Sequence, residues 1–102
     1  MIVHKDSAVK IFETDGVVGL LLNKSDYGEC VKLEIQPGAI LKKHRVDFAA
    51  TFYVICGEGV FLSKKGENEI RQGSIMVADA NTERGFANTG REVLEVLVIK
   101  HL

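Results

Sequence analysis

Turn signals recur about every 8 to 12 residues along this chain, and that spacing restricts its fold more than any other feature. Asp15-Gly16, Asn23 to Gly28, Pro37-Gly38, Gly57-Glu58-Gly59, Lys64 to Asn68, Gln72-Gly73, Asp79 to Thr82 and Asn88-Thr89-Gly90 each combine residues that favour tight or left-handed backbone. No stretch between them carries a 3.6-residue apolar repeat, so helix is expected to be minor. Short strands at this spacing predict an all-β sandwich or barrel.

The intervening segments read as strands. Val9, Ile11 and Phe12 form a short first strand, and Val17 to Asn23 a nearly all-apolar second. Cys30 to Gln36 alternates cleanly: Val31, Leu33 and Ile35 share one face, Lys32, Glu34 and Gln36 the other, as in a half-buried strand. Thr51 to Ile55 is β-branched or aromatic throughout, which predicts a strand covered on both sides. Val60 to Ser63, Glu69 to Arg71, Ile75 to Ala78, Gly85 to Ala87 and Val93 to Ile99 complete the series.

With 102 residues the chain is one domain, residues 1–102, long enough for one core. A formal net charge of -1 gives no general attraction to nucleic acid or anionic membranes, which require clustered positive charge. The longest apolar run, Val17 to Leu22, is far short of the roughly 20 residues that span a bilayer. The first residues show no export signal, so a cytoplasmic protein with Cys30 and Cys56 as free thiols is expected. Cys56 reads as a small packed residue rather than a reactive thiol, because no histidine lies near it in sequence. No phosphate loop and no nucleophile elbow is present.

Gly38, His44 and Gly57 stand at the spacing of the first signature of the cupin superfamily, and Gly73 and Asn88 at the ends of the second. The chain thus resembles a small single-domain cupin from about Leu33 to Val98, which implies a jelly-roll β-barrel of two antiparallel sheets and about eight strands. The resemblance also implies a metal held by four side chains. Of those four positions, His44 alone retains a ligand; Val46, Ala50 and Arg84 occupy the others. Valine and alanine cannot coordinate, and arginine stays protonated and repels a cation. No metal and no cofactor is therefore expected. Asp47, Asp79 and Glu83 lie near these turns, but strand alternation places Asp47 opposite His44.

Arg84, carried inward by its motif position, requires a carboxylate or a bound anion; if the turn is shifted, it is a surface residue. His44 is either a ligand contact or a satisfied polar residue at the barrel mouth. The expected ligand pocket is bordered by His44, Arg84, Phe52, Tyr53 and Phe86, with Lys42 on the same strand face as His44. Two functions are compatible with this pattern. One is a metal-free small cupin that binds a small anionic molecule, a carboxylate or sugar acid, or serves as a structural module. The other is a cupin-type isomerase or dioxygenase with non-standard ligands or acid/base groups. A homodimer is expected, because Val17 to Leu22 and Val93 to Ile99 carry apolar residues on both strand faces and one barrel has a single interior.

Overall fold

The alternation centred on Leu33 becomes an interior strand of the larger of two sheets. The structure, a computed structural model, describes residues 1–101. After a single 3₁₀ turn at Lys5–Ser7 the strands are β1 (Val9–Thr14), β2 (Val17–Lys24), β3 (Gly28–Ile35), β4 (Ile40–Val46), β5 (Ala49–Cys56), β6 (Glu58–Ser63), β7 (Gly66–Arg71), β8 (Ile75–Ala78), β9 (Thr82–Ala87) and β10 (Leu94–His101). One sheet has the order β1-β2-β3-β10-β5-β8 and the other β4-β9-β6-β7. Each neighbouring pair in both sheets is antiparallel.

This is the expected two-sheet jelly-roll barrel, with ten described strands rather than eight. Among the described residues no helix is long and apolar enough to cross a membrane.

The core lies between the sheets. Val31, Leu33 and Ile35 of β3 and Leu94, Val96 and Val98 of β10 point into it from the large sheet. Phe52 from that sheet meets Phe61 and Phe86 from the small one in a tilted cluster with ring centroids 5.7, 5.4 and 5.3 Å apart. Such aromatic contacts add to the area each ring buries. Asn88 closes one end. Its amide donates to the Ile35 and Glu92 carbonyls, both at 2.8 Å, while its side-chain oxygen accepts from the Gly90 N–H at 2.9 Å.

Strand alternation is interrupted where β4 meets β9. In that ladder Leu41 pairs with Phe86 and His44 with Arg84, so Lys42 and Lys43 together oppose Gly85 in a bulge. A side chain at Gly85 would strike the Leu41 carbonyl oxygen at 2.5 Å and the Lys43 nitrogen at 2.7 Å. Strand β5, expected to be covered on both sides, is covered on one. Ala50, Phe52 and Val54 are buried, but Tyr53 and Ile55 are exposed on the sheet's outer face. Composition could not distinguish these faces, because every residue from Thr51 to Ile55 suits a strand.

Candidate functional site

The barrel opens at the end where β4 turns into β5 and β8 into β9. A cavity of about 590 Å³ enters there, with a floor formed by Val31, Leu33, Leu41, Phe52, Phe86 and Val98. Its rim is polar: His44 and Arg45 from the end of β4, Asp47 from the turn after it, and Asn81 from the turn before β9. Ile11 and Phe12 of β1 form one wall. Phe12 pairs with Gly19, where its ring occupies the space a side chain would take.

Arg84 is the central polar group. It is 3 % exposed, and among the described residues no carboxylate pairs with it. Backbone carbonyls hold it instead. Nη2 donates to Phe48 at 2.9 Å, Asp79 at 3.0 Å and Val46 at 3.3 Å, and Nε to Thr82 at 3.3 Å. Nη1 is buried and has no partner among the described residues. Burial pushes the guanidinium pKa below its ordinary value, since the charged form loses hydration. Arginine nevertheless remains a cation near neutral pH.

A second cation lies close. Lys100 Nζ stands 4.9 Å from the Phe48 ring centroid, and Arg84 Cζ 5.6 Å from the same centroid. Lys100 lies 3.4 Å from Glu29 as well. Arg45 donates to the Asn81 carbonyl. The cavity lining therefore carries the cations Arg84, Lys100 and Arg45, with the His44 imidazole, against one carboxylate, Asp47. A low-dielectric wall strengthens the attraction of such a site for an anion.

His44, Arg84, Phe52 and Phe86 all line this cavity. His44 is exposed at the mouth, with Nδ1 3.1 Å from the Lys42 carbonyl oxygen. Lys42 and Tyr53 do not line it. The bulge shifts strand parity between Leu41 and His44 and takes Lys42 out of the lining, while Tyr53 lies on the outer sheet face with 41 % exposure. Arg45 near the end of β4 and Asp47 in the turn after it also reach the rim, contrary to simple alternation.

Phe48, Asn81, Lys100, Ile11 and Phe12 are lining residues that sequence reasoning missed. For Lys100 a signal existed: it continues the inward parity of Leu94, Val96 and Val98 by one more step.

Residues 31–100 match the cupin domain family. This chain belongs to the cupin family. Among its relatives is an oxalate-binding protein of Thermotoga maritima, 30 % identical over 70 residues, which are 67 % of this cupin and 57 % of that protein. The cupin thus matches less than two thirds of that relative's length. A crystal structure described as a predicted oxalate decarboxylase, also from Thermotoga maritima, superposes with a TM-score of 0.86 at 22 % identity, covering 100 % of this chain and 99 % of that one. The polyketide cyclase RemF from Streptomyces resistomycificus superposes with a TM-score of 0.84 at 16 % identity, covering 99 % and 78 %. At these identities the two superpositions establish the fold, and their differing names illustrate how many chemistries it carries.

The family resemblance implies a metal, and the donor set does not fit one. At the four signature positions stand one imidazole, two side chains without lone pairs and a guanidinium. Among the described residues no three His, Cys, Asp or Glu side chains are grouped to hold an ion. A site for zinc or a similar metal needs three or four converging N or O donors.

Proposed function

We propose that this cupin is a metal-free module that binds a small carboxylate-bearing molecule in the barrel mouth, with Arg84 as the principal anion contact and His44 at the rim. The observation that carries the reading is the Arg84 guanidinium, 3 % exposed, lining the cavity with Nη1 unpartnered among the described residues. A buried charge satisfied by carbonyls alone keeps its full positive charge, and a carboxylate matches a guanidinium's fork of donors. The cationic balance of the lining supports the same ligand sign, as does the relative named for oxalate binding. Melting of the protein against a panel of carboxylates and sugar acids, with Arg84→Ala in parallel and elemental analysis of the purified chain, tests the proposal. Stabilisation by an anion in the wild type, its loss in the variant and no stoichiometric transition metal are the expected results.

We propose further that a second copy of the chain covers the outer face of the large sheet. Tyr53 pairs with Leu97 and Ile75, and Thr51 with Ile99 and Val77, so these residues share one face. Ile75 and Val77 are 65 % and 72 % exposed. A domain of 35 × 28 × 25 Å offers a sheet face wide enough for the roughly 800 Å² per partner that stable interfaces remove.

A further inference from the structure

The polarity of the cavity changes with depth. At the rim His44, Arg45, Asp47 and Asn81 are exposed. Directly across the β4–β9 ladder from His44, Arg84 is 3 % exposed, and two residues further along β9 Phe86 is 1 % exposed. Beyond Arg84 the floor is Leu33, Val31, Phe52, Phe86, Val98 and Leu41, all apolar, and the polar side chain that joins Arg84 beside it is Lys100, itself paired with Glu29. Arg84 therefore sits where a charged rim gives way to a largely hydrocarbon floor.

A ligand that satisfied Arg84 and nothing else would fit this site poorly. Oxalate has two carboxylates and no hydrocarbon between them, and it fills on the order of 60–90 Å³, the room of two or three waters. In a cavity of about 590 Å³ it would leave most of the apolar floor facing water or empty space. With Lys100 as a partner for its second carboxylate, it would still bring no hydrocarbon to that floor. Pockets of this size generally use a few polar groups to orient a ligand and apolar walls to hold it.

We propose that the ligand is an amphiphilic monocarboxylate: one carboxylate at Arg84, facing the rim, and an aromatic or branched aliphatic body against Leu33, Phe52 and Phe86. This rests on the carboxylate reading of the same site and narrows its ligand class. The Arg45 guanidinium and the His44 imidazole at the rim lie on the carboxylate side, and the floor supplies the contacts that discriminate among acids.

The test compares phenylacetate, 4-phenylbutyrate and octanoate with oxalate and malonate by calorimetric titration and thermal shift on the intact protein. Phenylacetamide serves as the uncharged control. The expected result is binding of at least one amphiphilic acid tenfold or more tighter than oxalate, with phenylacetamide and the Arg84→Ala protein losing most of that affinity. A Leu41→Trp variant, which narrows the floor from a half-buried position, should weaken the amphiphilic acids more than oxalate.

Tighter or equal binding of oxalate or malonate overturns the amphiphile and leaves the carboxylate site standing. Equal binding of phenylacetate and phenylacetamide also overturns it, since the charged head would then contribute nothing. If no acid of either kind binds, the carboxylate site itself is wrong.

Discussion

His44 and Arg84 are direct cross-strand partners in the β4–β9 ladder, one exposed at the mouth and the other buried behind it. They come from the two separate cupin signatures, and the pairing places an imidazole and a guanidinium where the family pattern implies a metal. That exchange puts a fixed positive charge, Arg84, where the family pattern implies a metal ligand.

Arg84→Lys should test this with little change in formal charge. An ammonium lacks the planar fork that reaches the Phe48, Asp79, Val46 and Thr82 carbonyls, so a stability loss of about 1–3 kcal/mol is expected. Chemical denaturation measures it, and the carboxylate-induced rise in melting temperature should fall by at least half. An unchanged response would show that geometry at Arg84 is irrelevant to binding.

His44→Ala should separate binding from folding. The side chain is exposed and makes one contact with a neighbouring carbonyl, so stability should change by less than about 0.5 kcal/mol. Carboxylate affinity should drop several-fold, as read by titration. No loss of affinity would remove His44 from the site.

Gly85→Ala should be more damaging than Gly19→Ala. At Gly85 the new carbon meets backbone atoms of Leu41 and Lys43 at the bulge, which cannot retreat without opening the ladder. At Gly19 it meets the Phe12 ring, part of an edge-strand side chain that can swing outward. Overpacking costs of about 1–3 kcal/mol are expected at Gly19 and more at Gly85. The order of the two midpoints in urea is the check.

Acid titration should expose the cluster on the outer face. The Cys56 thiol donates to Glu95 at 2.8 Å, and Lys32 lies 3.0 Å from Glu95 and 3.1 Å from Glu34. The Cys56 hydrogen bond first, then that of Lys32, holds the Glu95 carboxyl below its ordinary value of 4.5. A depressed carboxyl pKa stabilises the fold above the unfolded value, and that contribution is lost as pH falls through the folded one. Stability should therefore decline on the acid side of pH 4.5, and Glu95→Gln should flatten the decline. The Glu95 hydrogen bond and burial push the Cys56 thiol up, so it should alkylate more slowly at about pH 8 than an unperturbed thiol.

Ile75→Lys combined with Val77→Lys should convert a dimer to a monomer. Both side chains are largely exposed in the single chain, so the monomer should keep its fold and its circular dichroism spectrum. Light scattering at micromolar concentration reads the mass. A wild-type monomer under those conditions would refute the second-copy proposal.

Strand positions, the two-sheet class and the inward set of β3 were legible in the sequence, because alternation and turn chemistry are local properties that neighbouring residues impose on one another. The absence of coordinating side chains at Val46, Ala50 and Arg84 was equally plain, since it is a matter of residue type. Tertiary structure alone decided which side chains meet. Whether Arg84 lay inside or in solvent depended on the register of β9 against β4, and the answer came with carbonyl partners that no residue letter encodes. Lys42 left the pocket because a bulge opposite Gly85 changes parity without any turn signal in the sequence. Tyr53 and Phe52 have similar strand propensity, but the pleat sends them to opposite faces. Which face is the core is set by the packing of the second sheet, a long-range relation that β5 cannot specify by itself.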